Sequence, residues 1–240
     1  MIVFDASGSM AGNTVQGLFS DITRIDEVRK ALGQVLPGIT KFRKVGLITY
    51  GPGPYGQCNV DLAFPPIPNA ADRIMSVVNA LNPAGKTPLV AAVKQAAEVL
   101  DYQTEKGVVV LVTDGEETCG GDPATAIAKL RKANVGVRVN IVGFAIDDEG
   151  LAASFRHWSD AGGGLYFDAR DAAGLDKAMS QALQPAIELI DGKGQVVAQG
   201  LTGDAPLEAM PGAYTVRLKS QTARSSPVTV RAKETTSVSL

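Results

Sequence analysis

The sequence predicts an α/β protein: a doubly wound, mostly parallel six-stranded sheet over residues 1–183, followed by a small all-β sandwich over residues 185–240. Three observations carry this. Short apolar runs alternate with helically spaced segments throughout the first region, the pattern of a parallel sheet covered by helices on both faces. One pair of runs is joined by a loop of Gly, Pro and Tyr with no helix, which places an antiparallel strand at an edge. After Gln184-Pro185 the apolar period shortens to two.

The strands of the first region are expected at residues 2–4, 45–50, 60–64, 108–113, 137–144 and 165–167. Val108-Val109-Val110-Leu111-Val112 is the longest apolar run, and its length and β-branching mark a buried strand. Residues 24–36 carry Ile25, Val28, Leu32 and Val35 at helical spacing, and residues 88–100 repeat Leu89, Val93, Ala96, Ala97 and Leu100. Asp122-Pro123 reads as an N-cap followed by a first-turn proline, opening a helix to about Lys132. Residues 148–158 and 171–183 supply two more helices. In the second region, "AIELIDGKGQVVAQGL" alternates around Asp191-Gly192-Lys193-Gly194, a hairpin signal. Pro211-Gly212 precedes another alternating run, and "SSPVTVRAKETTSVSL" gives two further short strands. Its core is expected from Ile187, Leu189, Val196, Leu207, Tyr214, Val216, Leu218, Val228 and Val230, in an immunoglobulin-like or carboxypeptidase-regulatory-like sandwich.

Composition is that of a folded soluble protein, with 45% hydrophobic and 20% charged residues. A net charge of -2 offers nothing to nucleic acid or acidic lipid. No apolar run approaches the ~20 residues that span a bilayer, so this chain is not expected to insert in a membrane. A basic n-region and an apolar h-region are both missing. A central strand beginning beside Met1 would be exposed to fraying, so the chain is expected to be cut from a longer one.

Ligands of open α/β sheets bind outside the carboxyl ends of the strands. Three polar groups fall there: Asp5, Ser7 and Ser9 after the first strand; Thr113-Asp114-Gly115 after the most apolar one; and Gly85-Lys86-Thr87-Pro88, a loop opening a helix. Two carboxylates and three hydroxyls are hard oxygen donors with no His or Cys arrangement suited to zinc. They suit Mg²⁺, with Mn²⁺ or Ca²⁺ as alternatives. So little protein charge leaves the cation electrophilic toward a carboxylate from another molecule.

"DASGSM", "GKTPL" and "TDGEE", in that order, resemble the metal-ion-dependent adhesion site of von Willebrand factor A domains, over about residues 1–183. The resemblance implies that Ser7, Ser9 and Thr87 touch the metal. It implies that Asp5 and Asp114 bind largely through water or switch with the state of the site. It implies a Rossmann-like fold and a binding module, not an enzyme, whose cation is completed by an Asp or Glu of a protein partner. An Asx/Ser turn would explain Asp5 and Ser9 but not the distant Thr87 and Asp114. The alternatives in function are a Mg²⁺-dependent phosphohydrolase using Asp5 and an assembly domain whose metal only steadies loops. The first is disfavoured because Ser7 stands where an acid/base aspartate is needed. "NPAGKT" lacks the first glycine of a phosphate-binding loop and follows a helical segment instead of a strand.

His157, the only histidine, has no partner for nucleophilic catalysis. Asp147-Asp148-Glu149 reads as a helix N-terminus. Glu116 and Glu117 border the proposed metal, either tuning its rim or simply solvated. Cys58 and Cys119 fall on the metal-bearing face in the expected topology. A disulfide between them would staple the rim and favour a periplasmic or extracellular protein from a longer exported precursor; two free thiols in a cytoplasmic protein are the alternative.

Overall fold

In the computed structural model, which describes residues 1–13, 21–101, 107–133, 137–202, 206–218 and 224–239, the chain divides into two units, Met1–Ala182 and Leu183–Leu240. The first unit runs β1 (Ile2–Asp5), a 3-10 turn (Gly8–Ala11), α1 (Arg24–Ile39), β2 (Val45–Tyr50), β3 (Val60–Ile67), α2 (Ala71–Asn79), α3 (Leu89–Val99), β4 (Gly107–Thr113), α4 (Pro123–Ala133), β5 (Val137–Phe144), α5 (Glu149–Ala161), β6 (Tyr166–Ala169) and α6 (Ala172–Leu183). Its six strands are ordered β3-β2-β1-β4-β5-β6. All neighbours are parallel except β2 and β3, so the expected antiparallel edge strand is present.

The two alternating faces of this sheet are both buried. Val3, Ile48, Tyr50, Val109, Leu111, Val139 and Ile141 pack with Leu89, Val93, Ile127 and Phe155 from α3, α4 and α5. Ile2, Phe4, Leu47, Val110, Val112, Val142 and Phe144 point the other way and are equally inaccessible. Burial on both faces explains why these strands read as unbroken apolar runs. β3 is instead only partly buried, with Phe64 inaccessible and Asp61 and Leu62 exposed, and it runs through Pro65 and Pro66 beyond the expected end at residue 64. Only an edge strand tolerates prolines, whose missing N–H can face away from the ladder. α1 likewise continues past the expected residue 36, with Pro37 in its last turn.

The strand order reverses at β1, whose neighbours are β2 and β4. Phe4 pairs with Val112, which sets Asp5 beside Thr113 at the carboxyl edge. This switch point is where the residues of interest gather.

The second unit contains β7 (Ala186–Ile190), β8 (Val196–Leu201), β9 (Gly212–Leu218) and β10 (Ser225–Val230). They form one antiparallel sheet in the order β10-β9-β7-β8. Among the described residues this single sheet stands where a two-layered sandwich was expected. Leu189 is buried, the other expected core residues of β9 and β10 are half-buried, and Val196 is exposed. The run after residue 230 forms no second strand: Lys233 takes a left-handed φ of 62° in a turn, and the following residues are nearly all polar. Glu188 and Arg217, directly opposed on β7 and β9, make an ion pair of 2.6 Å.

Candidate functional site

Asp5 ends β1 fully buried. Its Oδ1 accepts the Ser7 amide at 2.7 Å, and its Oδ2 accepts the Thr113 hydroxyl at 2.8 Å. The chain then turns, and the Ser7 and Ser9 hydroxyls approach to 3.0 Å. Ser9 Oγ donates to Asp114 Oδ1 at 2.6 Å. Thus Asp5, Ser7, Ser9 and Asp114 form one continuous cluster.

Thr87 reaches this cluster through its backbone. Gly8 N donates to Gly85 O at 2.9 Å, and Ser7 and Gly85 form a parallel bridge. Thr87 N donates to Thr118 Oγ1 at 2.8 Å while Thr118 N donates back to Thr87 O at 3.0 Å. Lys86 N donates to Gln57 O at 2.8 Å. The segment carrying Thr87 is therefore clamped between the loops that follow β2 and β4. Cys58 and Cys119, bonded to each other with Cα atoms 5.8 Å apart, join these same two loops. The expected disulfide is present.

Gly51 is the wedge beneath the cluster. Its φ is +74°, and a Cβ there would lie 2.7 Å from Ser7 Cα and N and 2.8 Å from Lys86 O. Those neighbours are backbone and cannot swing aside, and a left-handed φ already disfavours a side chain. Gly51→Ala is expected to destabilise the protein by about 2–4 kcal/mol and to shift the Ser7 loop. Denaturant unfolding tests this, and a change below about 0.5 kcal/mol would show that the site floor yields easily.

The negative charge of Asp5 is disfavoured where it stands. Burial first, then the charge of Asp114, raise the Asp5 carboxyl pKa from 3.8 to about 6, against the lowering effect of hydrogen bonds from Ser7 and Thr113. The Tyr50 hydroxyl is buried with no hydrogen-bond partner, and burial followed by the Asp5 charge lifts its pKa well above 10. Oxygen donors held this closely, with two carboxylates sharing a dry space, fit a small hard cation. Among the described residues no group of three or more His, Cys, Asp or Glu side chains is placed to hold a metal. The set here draws on hydroxyls instead.

The remaining candidates separate from the site. Glu117 accepts the amides of Val90 at 2.8 Å and Cys119 at 2.6 Å, so it braces a loop. Glu116 and His157 are exposed. Asp148 caps α5, accepting from Leu151 N at 3.0 Å. Sequence reasoning missed Arg24, whose Nη1 donates to Asp114 Oδ2 at 2.8 Å. A signal existed: a cation in the first turn of a helix opposes the helix dipole and calls for another partner.

A family model for the von Willebrand factor type A domain matches residues 1–117. The Bacillus subtilis (strain 168) uncharacterized protein YwmD is 32% identical over 198 residues, covering 78% of this chain and 85% of YwmD. The chain belongs to the von Willebrand factor type A family. Among solved structures, an aerotolerance-related membrane protein from Bacteroides fragilis superposes with a TM-score of 0.58 at 22% identity, over 76% of this chain and 96% of that one. Proximal thread matrix protein 1 from the mussel byssus, with a zinc-occupied metal-ion-dependent adhesion site, gives 0.54 at 16% identity, over 76% and 46%. These likenesses show the fold. The von Willebrand factor A fold is typically a protein-interaction module, often with a divalent metal. No described helix is long and apolar enough to cross a membrane.

Proposed function

We propose that Asp5, Ser7, Ser9, Thr87 and Asp114 hold a divalent cation, Mg²⁺ or Mn²⁺, through which this domain binds an acidic side chain of a partner protein. The observation that supports it most is the continuous cluster linking Asp5, Ser7, Ser9 and Asp114, with the Thr87 segment stitched to it by Gly85. When bound, the cation supplies an electrophilic position for a carboxylate oxygen. The protein's part is to fix the hydroxyls, exclude water beside Asp5 through the buried Tyr50, and keep Asp5 oriented by two hydrogen bonds. Asp5, the carboxylate whose raised pKa would suit a base, has one oxygen taken by Ser7 N and the other by Thr113 Oγ1, so the reading is binding without turnover. The disulfide supports an exported protein in an oxidising compartment.

Calorimetric titration of Mg²⁺ and Mn²⁺ into the protein is expected to show one site, weakened severely in Thr87→Ala. A captured partner should bind in Mg²⁺ and release in EDTA, and Asp/Glu→Ala scanning of that partner should find one residue worth about 2–5 kcal/mol. Partner affinity that is the same in EDTA would remove the cation from recognition.

A further inference from the structure

Arg24 brings a positive charge into contact with a site whose proposed ligands are hydroxyls and carboxylates, whereas Lys86 in the Thr87 loop is exposed to solvent. Its guanidinium lies against Asp114 at 2.8 Å, where the Asp114 side chain has no exposure and that of Arg24 retains 23%. The backbone fixes this placement independently: Arg24 N donates to Gly12 O at 2.8 Å, seating the start of α1 on the turn that follows Ser9. The acidic residue Asp26 in the same helical turn is already engaged, by Thr23 at 2.6 Å and by Arg29 at 2.9 Å. Arg24 Nε is buried without a hydrogen-bond partner, an unfavourable desolvation for a residue that only tethers a helix.

The two oxygens of Asp114 are thereby divided. Oδ1 takes the Ser9 hydroxyl of the cluster, and Oδ2 takes the guanidinium. Resting on the cation reading above, we propose that Arg24 is a built-in counter-cation of Asp114: it weakens divalent-cation binding and leaves the bound cation more positive toward an incoming carboxylate. The charges make the point. Two ionised aspartates alone would bring a divalent cation to neutrality, and a neutral centre has little to offer an anion. With Arg24 present the loaded site keeps one net positive charge, which a single carboxylate neutralises. Arg24 is a positioning residue in this scheme, acting through Asp114.

The test is calorimetric titration of Mn²⁺ into the full chain as wild type, Arg24→Gln and Arg24→Lys. Arg24→Gln is expected to bind Mn²⁺ about tenfold more tightly while its melting temperature in EDTA falls, because Asp114 loses its partner. Arg24→Lys keeps the charge and should stay within about threefold of wild type. Arg24→Met retains the aliphatic stem and repeats the comparison should Arg24→Gln fold poorly. Acetate then serves as the carboxylate probe, followed through water-proton relaxation by bound Mn²⁺: Arg24→Gln should take it several-fold more weakly than wild type. A helix tether alone would change melting without changing affinity. Mn²⁺ affinity in Arg24→Gln and Arg24→Met equal to or below wild type overturns the proposal, as does acetate affinity that does not change. Absence of Mn²⁺ binding in wild type and all variants overturns instead the cation reading on which the proposal rests.

Discussion

Asp5→Asn is expected to abolish divalent-cation binding, by about 100-fold or more, and yet to raise the melting temperature of the cation-free protein at pH 7. The wild-type carboxyl has a pKa of about 6, above its ordinary 3.8, because of burial and then of Asp114. A carboxyl raised in this way binds more protons in the folded chain than in the unfolded one between those values. Its linkage makes stability fall as pH rises from about 3.8 to about 6, and the loss persists above. At pH 7 the cation-free fold therefore carries an unfavourable ionised group. Asparagine keeps the shape, and its Oδ1 can still accept from Ser7 N. Thr113 Oγ1 has one proton and two acceptors, Asp5 Oδ2 at 2.8 Å and Gly115 O at 3.0 Å. The asparagine NH₂ would donate to that oxygen and free the proton for Gly115. Melting scans from pH 4 to 7 in EDTA should show this group's decline in wild type and a flatter profile in Asp5→Asn. Added Mn²⁺ should raise the melting temperature at pH 7 in wild type only. A lower cation-free melting temperature in Asp5→Asn at pH 7 would show that the carboxylate stabilises the fold and would count against a site built for a cation.

Much of this site was legible because its parts lie at strand ends. Asp5 and Asp114 each follow a short unbroken apolar run, and for the run before Asp114 length and β-branching mark a buried strand. The antiparallel edge followed from the helix-free loop between Tyr50 and Val60. Spatial adjacency was harder: that Asp5 meets Thr113 depends on the register of β1 against β4, which no local pattern contains. Glu117 looked like a rim charge and proves to brace backbone amides, a choice fixed by loop geometry. Arg24 was hidden because helical periodicity assigns an exposed arginine to solvent unless its dipole conflict is noticed. In the second unit the alternation of β9 and β10 is genuine, but it specifies only that one face is less polar. It does not say that a second layer covers that face, and Glu188, paired across the sheet with Arg217, takes a buried position expected of an apolar residue.

Replacing both Cys58 and Cys119 by serine is expected to destabilise the protein by about 2–4 kcal/mol and to weaken Mn²⁺ binding several-fold. The bridge spans a sequence separation of 61, and a loop of that length gives about 4 kcal/mol in the chain-entropy model. Its Cα separation of 5.8 Å lies within the ordinary range, so native distortion should subtract little. The coupling to the cation follows from where the bridge lies. Gln57 O holds Lys86 N, and Thr118 holds Thr87 through two bonds, so the residues beside the two cysteines grip the segment that presents Thr87. Without the bridge the gripping loops can separate, and the Thr87 hydroxyl would have to be ordered at the moment of binding. That ordering entropy appears as lost affinity, whereas Asp5, Ser7 and Asp114 remain on strand ends that the disulfide does not hold. Urea unfolding and Mn²⁺ calorimetry of the double serine variant measure both effects. A loss of stability with unchanged Mn²⁺ affinity would confine the bridge to the fold, and a stability loss below about 1 kcal/mol would mean that the loop hydrogen bonds alone hold the rim.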